Sequence, residues 1–171
     1  SKELTSIFSK RKIKILTNKK VEKVEKLKSS VKLLIDSKEI KADIVLVAVG
    51  VTGNINNIGL EKISIKTDKG FIKTNPFMQT NVENIYAIGD ISGPPLLAHV
   101  ASAEGIVAIE HICGLNPMEM KYDNIPACTY CEPEVASVGL TEKEAKDSGY
   151  DIKIGKFPFR ALGKSLADGN H

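Results

Sequence analysis

Asn84-Ile85-Tyr86-Ala87-Ile88-Gly89-Asp90 joins a short apolar run to a glycine and a carboxylate. Residues 85–88 read as a strand buried in an α/β sheet, with Gly89 and Asp90 at its C-terminal edge. In open α/β sheets ligands bind at that edge. A glycine lets the backbone approach a ligand closely, and a carboxylate accepts hydrogen bonds from sugar or polyol hydroxyls. Taken alone, the same residues describe a strand followed by an ordinary Asp-initiated turn, and that is the simpler reading.

The next segment shifts the balance. Gly93-Pro94-Pro95 cannot lie inside a helix. From Leu96 to Cys113 the spacing of Leu97, Val100, Ala101, Glu104, Ala108, Ile109 and Ile112 predicts a helix, with Gly114 as its C-terminal stop. Pro94-Pro95-Leu96-Leu97-Ala98-His99 therefore opens a helix a few residues after Asp90. Its first turn carries unpaired backbone N–H groups and roughly half a positive charge. His99 by itself reads as a helix-start histidine. Gly89-Asp90 and the Leu97-Ala98-His99 helix start together read as one ligand site.

Upstream, Leu4, Ile7 and Phe8 predict a short amphipathic helix ending near Lys10-Arg11-Lys12, a cluster suited to a helix C-terminus. Ile13–Leu16 and Val31–Ile35 read as strands, and Val21 to Val24 as a more polar extended segment. Ile44–Val49 is apolar on both faces and predicts a strand buried on both sides, ended by Gly50. Residues 51–82 hold short turns, among them Asp68-Lys69-Gly70 leading into Phe71-Ile72. The polar stretch at 117–124, with Pro117, marks a domain boundary. Beyond it Ile125–Tyr130, Val135–Leu140 and Tyr150–Phe159 read as strands. Thr141-Glu142-Lys143-Glu144 is a capping box whose helix ends at Gly149. Ala167-Asp168-Gly169-Asn170-His171 reads as a turn.

The bulk composition fits a soluble globular protein, with 42% hydrophobic and 26% charged residues over 171 positions. No apolar run approaches the roughly 20 residues that span a bilayer, and no signal-peptide pattern opens the chain. Ser1-Lys2-Glu3 is expected to be an internal cut rather than a natural start. Charge is uneven: residues 1–41 hold 13 Lys/Arg against 5 Asp/Glu, a net +8, and the remainder 11 against 16, a net −5. A Lys-rich segment can mark a nucleic-acid partner. Here only Phe8 is aromatic and the lysines are interspersed with apolar positions, the pattern of solvated helix and strand faces. Three cysteines without a signal peptide point to a reducing compartment, hence the cytoplasm.

The stretch Thr80–Asp90, then Leu96-Leu97-Ala98-His99, then Glu104-Gly105, resembles the FAD-binding region of the pyridine nucleotide–disulfide oxidoreductases. The Leu-Ala-His form resembles the dihydrolipoamide dehydrogenases more than the glutathione or mercuric reductases. Ile125-Pro126, Glu132–Glu142 and Phe157-Pro158-Phe159 resemble the start of that family's dimerisation domain. The resemblance implies a mixed α/β and α+β chain in three parts: the carboxy-terminal part of an NAD-binding domain (1–51), a central FAD-contacting segment (52–121) and the start of an α+β dimerisation domain (122–171). No GxGxxG occurs, so only the later strands of a nucleotide-binding domain are expected.

Carried across, the resemblance implies that Asp90, after Gly89, hydrogen-bonds the ribityl chain of FAD. Leu96, Leu97, Ala98 and His99 would lie under the flavin pyrimidine edge, largely through their backbone. Gly50 would lie beside NAD, and Val21 would line the adenosine pocket. Where family members often carry an arginine after the glycine matching Gly50, this chain has Val51-Thr52-Gly53-Asn54, which resembles a branch associated with bacterial pyruvate dehydrogenase complexes. The implied activity passes electrons from dihydrolipoamide through a disulfide and FAD to NAD, in a homodimer served by the lipoyl domain of an acyltransferase (E2), with no nucleic-acid, membrane or metal partner. Alternatives are another FAD/NAD(P) disulfide reductase, or a non-catalytic interaction module using the basic segment.

Cys128-Thr129-Tyr130-Cys131 matches a CxxC, yet falls in an apparent strand, where residues three apart face opposite ways and stand about 10 Å apart. A bridge needs less than about 7 Å, and no second pair completes a zinc site, so both cysteines read as structural. In the family the reactive pair lies in a different motif. His99, His111 and His171 do not form the family's His-x-His-Pro pattern. By itself the 171-residue chain is expected to be catalytically inactive.

Overall fold

The computed structural model describes residues 2–169. Of the terminal turn expected over 167–171, Asn170 and His171 lie outside the described residues. The chain divides between Met120 and Lys121 into two compact units. Helices and short antiparallel sheets are both present, the mixed architecture that the sequence predicts.

The first unit opens with α1 (Lys2–Lys10), which half-buries Leu4, Ile7 and Phe8 on one stripe. A three-stranded antiparallel sheet follows, with β1 (Val21–Lys26), β2 (Val31–Ile35) and β3 (Lys38–Ala42) in that order. The sequence reading misses β3. Its signal is the two-residue loop Asp36-Ser37, where both residues adopt positive φ (46° and 62°), the geometry of a tight hairpin turn. On the sheet surface Lys32 lies 3.5 Å from Glu25 and 3.1 Å from Glu39 on the flanking strands. These carboxylates, the Glu39 hydrogen bond foremost, raise the Lys32 pKa. Part of the basic segment's charge is thus matched within the sheet.

A second hairpin, β4 (Thr67–Asp68) with β5 (Phe71–Ile72), turns on Lys69-Gly70, as the sequence predicts. Ile65, Ile72 and Ala87 form the core beneath it, and Ile55, Leu60, Val82, Ile85 and Ile91 pack against them. Asn81 ties the loops around this core: its Oδ1 accepts from Lys66 N–H at 2.7 Å and its Nδ2 donates to the Ser64 carbonyl at 2.9 Å. Gly53 is buried against the hairpin, and a Cβ there would stand 2.6 Å from the Gly70 carbonyl oxygen. The Val51–Asn54 variation therefore includes a position that only a glycine fits.

Helix α2 (Ala98–Ile112) closes the unit. It ends as predicted at Gly114 (φ +71°), whose N–H reaches the His111 carbonyl while Leu115 N–H reaches that of Glu110. Among the described residues no helix is long and apolar enough to cross a membrane.

Four predicted strands are absent. Ile13–Leu16 and Tyr150–Phe159 belong to no ladder, and Phe159 opens a 3-10 turn. Ile44–Val49 is not a doubly buried strand: Ile44 is 86% exposed and Val49 90%. Strand propensity supplies one row of N–H and C=O groups, and a ladder needs a second row. For these segments the described residues supply none. Residues 85–88 are likewise no strand; Tyr86 makes a single bridge to Gln79.

In the second unit β6 (Ala127–Thr129) pairs antiparallel with β7 (Val135–Ser137), each shorter than predicted. α3 (Glu142–Asp147) begins with the full capping box: Glu144 N–H donates to Thr141 Oγ1 at 3.2 Å, and the Glu144 carboxylate accepts from Thr141 N–H at 2.8 Å. A short helix, α4 (Gly163–Ala167), was not foreseen.

The hydrogen bonds from Thr141, side chain first and backbone second, hold the Glu144 carboxyl below the ordinary carboxylate range. A pKa lower in the folded state contributes stability above the unfolded value, and that stability is lost as pH falls through the folded value. Acidification below the ordinary carboxylate range should therefore fray the α3 N-terminus. The Thr141 amide resonance should move with it, and Glu144→Gln should abolish that movement. Glu142, held low chiefly by Lys146, should still titrate in the variant. A Thr141 amide that titrates unchanged in Glu144→Gln would contradict the assignment.

Candidate functional site

The site is built where the extended segment 85–88 turns into α2. Gly89-Asp90-Ile91 forms one 3-10 turn, closed by Ser92 N–H and Ser92 Oγ, which donate to the Gly89 carbonyl at 2.9 and 2.8 Å. Gly89 has φ +73°, a left-handed conformation that disfavours side chains, and a Cβ there would stand 3.2 Å from Ala101 Cβ. Both facts require glycine at this position. The Gly89 N–H donates to the Glu104 carboxylate at 2.6 Å, and Glu104 is only 2% exposed. A buried carboxylate in the second turn of α2 thus fixes the turn that carries Asp90.

Asp90 itself is exposed, its carboxylate open to a ligand. Pro94-Pro95, joined by a cis bond, leads into Leu96 and Leu97, both half-buried. Leu97 is the N-cap of α2 in extended backbone and contributes no side-chain cap. Its carbonyl instead accepts from Val100 and Ala101 N–H at 3.0 and 3.1 Å. The N–H groups of Ala98 and His99, both exposed residues, open the helix ahead of these bonds. This is an uncapped helix N-terminus beside a glycine–carboxylate turn, a pairing that can receive a ligand with a polyol and a region of developing negative charge.

The other predicted residues fall elsewhere. Val21 opens β1 and is 48% exposed. Gly50 (φ +102°) follows the exposed 44–49 run, with open space where its Cβ would stand. Nothing in the structure builds a cradle at this glycine. Cys128 is in β6, as read, but Cys131 lies past the strand in the bend before Pro133, where its thiol donates to the Pro133 carbonyl at 3.0 Å. Cys113, Cys128 and Cys131 are free thiols. Among the described residues no three His, Cys, Asp or Glu side chains gather as a metal site. Glu104 enters the sequence reading as part of the helical pattern and of the Glu104-Gly105 resemblance, with no role assigned; the structure gives it the bond to Gly89. Its signal is an acidic residue on the same helical stripe as Ala101 and Ala108.

Comparison with known proteins places the fold and the family. The structure aligns with LpdA from Mycobacterium tuberculosis at TM-score 0.89 and 23% identity, over 97% of this chain and 37% of that one. It aligns with the HOCl-induced flavoprotein disulfide reductase RclA from Escherichia coli at TM-score 0.88 and 20% identity, over 98% of this chain and 39% of that one. The fold is therefore that of the flavoprotein disulfide reductases. The sequence narrows the class: residues 1–105 match the pyridine nucleotide-disulphide oxidoreductase model, and residues 125–171 match the dimerisation domain of the same group. The chain belongs to the pyridine nucleotide-disulphide oxidoreductase family. Among its relatives are the dihydrolipoyl dehydrogenases of Rhizobium etli, 48% identical over 98% of this chain, and Bacillus subtilis, 46% identical over 99%. The chain spans 37% of the length of each of these two relatives.

Removing the Glu104 carboxylate leaves the Gly89 N–H without this acceptor, and an unmet buried donor costs about 1–3 kcal/mol. Glu104→Ala should destabilise the first unit by that order in urea denaturation. Glu104→Gln, which keeps an oxygen acceptor, should lose less. Equal stability of Glu104→Ala and wild type would refute the role assigned to this bond.

Proposed function

We propose that this chain is part of a flavin-dependent dihydrolipoyl dehydrogenase, with residues 1–51 from its NAD-binding domain, 52–121 contacting FAD and 122–171 opening its dimerisation domain. The observation that carries the reading is the Gly89–Asp90 turn, anchored by Glu104, beside the uncapped N-terminus of α2. The names of the relatives in Rhizobium etli and Bacillus subtilis supply the activity.

The residues fit a flavin on structural grounds. Gly89, with its left-handed φ, seats the turn against Ala101 of α2, Asp90 offers an exposed acceptor, and α2 presents donors with no side-chain cap. In this reading Asp90 binds the ribityl hydroxyls. The backbone N–H groups of Ala98 and His99, with Leu96 and Leu97 beside them, face the pyrimidine edge and favour negative charge there. Bound FAD would supply the two-electron centre that links thiol–disulfide exchange on dihydrolipoamide to reduction of NAD. Val21 and Gly50 are assigned to the NAD side from the family pattern. The match of residues 125–171 to a dimerisation domain supports a homodimer. The lipoyl domain of an E2 component is the proposed partner, in a bacterial 2-oxo acid dehydrogenase complex of the cytoplasm.

Two outcomes test this. In the polypeptide of the complete reading frame, Asp90→Ala should weaken FAD binding about tenfold or more, the scale of a charged hydrogen bond of about 1.5–3 kcal/mol, measured by flavin fluorescence titration. Unchanged affinity would remove Asp90 from the site. The 171-residue chain by itself should not reduce NAD with dihydrolipoamide, since its cysteines Cys113, Cys128 and Cys131 are free and outside the family's reactive motif. Turnover by the purified chain, followed at the NADH absorbance, would overturn that assignment of the redox centre.

A further inference from the structure

Tyr86 and His111 are not used by the site as described, yet they make a second polar contact between the extended segment and α2. The Tyr86 hydroxyl lies 2.8 Å from His111 Nδ1. The His111 ring also stacks on Phe77, with centroids 4.8 Å apart and planes 6° apart. Phe77 belongs to a turn organised by Asn75, whose Oδ1 accepts from the Phe77 and Gln79 N–H groups, each at 3.0 Å. His111 therefore joins three pieces: the end of α2, the 75–79 turn and the segment leading to Gly89.

The spacing of the two contacts is matched. Tyr86 and Gly89 are three residues apart along extended backbone, an advance of about 10 Å. Their partners His111 and Glu104 are seven residues apart along a helix, an advance of about 10.5 Å on one face. The pairs run antiparallel, 86 to 111 and 89 to 104. Between them Ile88 reaches over Gly105, where a Cβ would stand 3.4 Å from Ile88 Cδ1, and Gly89 lies over Ala101. Ala101, Glu104, Gly105, Ala108 and His111 thus make one stripe in which small residues admit the segment and two polar residues fix its register. A slip by one residue would part both polar pairs at once.

We infer that Tyr86–His111 and Gly89–Glu104 form a two-point gauge, in which His111 is a positioning residue that sets the Gly89–Asp90 turn along α2. Its functional consequence rests on the FAD reading; the gauge itself does not.

The test uses the polypeptide of the complete reading frame and two readouts, amide hydrogen exchange at Gly89 and FAD affinity. Tyr86→Phe deletes one oxygen and His111→Leu removes its partner nitrogen. Each should speed Gly89 exchange and weaken FAD binding about fivefold, the scale of one hydrogen bond of about 1 kcal/mol. The double variant should do no more than either single one. His111→Asn, whose side-chain amide offers both a donor and an acceptor close to the Nδ1 position, should recover most of the loss. Lower thermal stability with unchanged Gly89 exchange would mark a merely structural contact and overturn the proposal, as would additive effects of the two substitutions. A wild-type protein that binds no FAD refutes the flavin reading alone, and the gauge is then decided by Gly89 exchange.

Discussion

A single hydrogen bond, from the Gly89 N–H to the buried Glu104 carboxylate, couples the two halves of the site. It joins a backbone turn to a helix fifteen residues further on, and it acts directly on the turn, where the Tyr86–His111 contact acts three residues upstream. The turn has only Ser92 to close it, and the helix start has no side-chain cap. A carboxylate is costly to bury unless hydrogen-bonded. Glu104 meets that cost with a donor whose own carbonyl side is already engaged, so the bond is directional as well as favourable. The glycine is the counterpart of the carboxylate: it adopts the left-handed φ of the turn, and its missing side chain lets the turn come down onto Ala101.

What was legible in the sequence is what closes locally. The capping box at Thr141–Glu144 satisfies its donors within four residues, and the Asp68–Phe71 hairpin turns within four. α2 is visible from its periodicity and from Gly114. Each of these carries its hydrogen-bond partners in its own neighbourhood, so pattern and structure coincide. Ile13–Leu16, Ile44–Val49 and Tyr150–Phe159 have the composition of strands, but composition does not provide the opposite row of a ladder. Their lack of a ladder among the described residues shows where a propensity argument stops. The CxxC reads in sequence as lying within one strand, but Cys131 lies past the strand end, so strand geometry does not set the spacing of the two thiols.

The candidate site divides along the same line. Gly89, Asp90 and the Leu97-Ala98-His99 helix start were visible because a glycine, a carboxylate and a proline-opened helix stand in sequence order. Glu104 and His111 were not, since periodicity places a residue on a stripe without saying what it bonds. Both are polar residues on an otherwise small and apolar face, and that contrast is the one trace they leave in the sequence.

The residues that make the site are mostly chosen for backbone shape. Gly89 is there for its φ and for what it lacks, and Pro94-Pro95 for a chain direction that a helix interior forbids. Ala98 and His99 are exposed and contribute their N–H groups in the proposed site, so their side chains are not the source of its polarity. Asp90 is the charged side chain that the turn presents. A site of this kind is preorganised by hydrogen bonds made behind it rather than by titratable groups within it. Its weak points accordingly lie one layer back. Loss of the Glu104 carboxylate changes nothing that a ligand would touch, yet it releases the turn on which Asp90 stands.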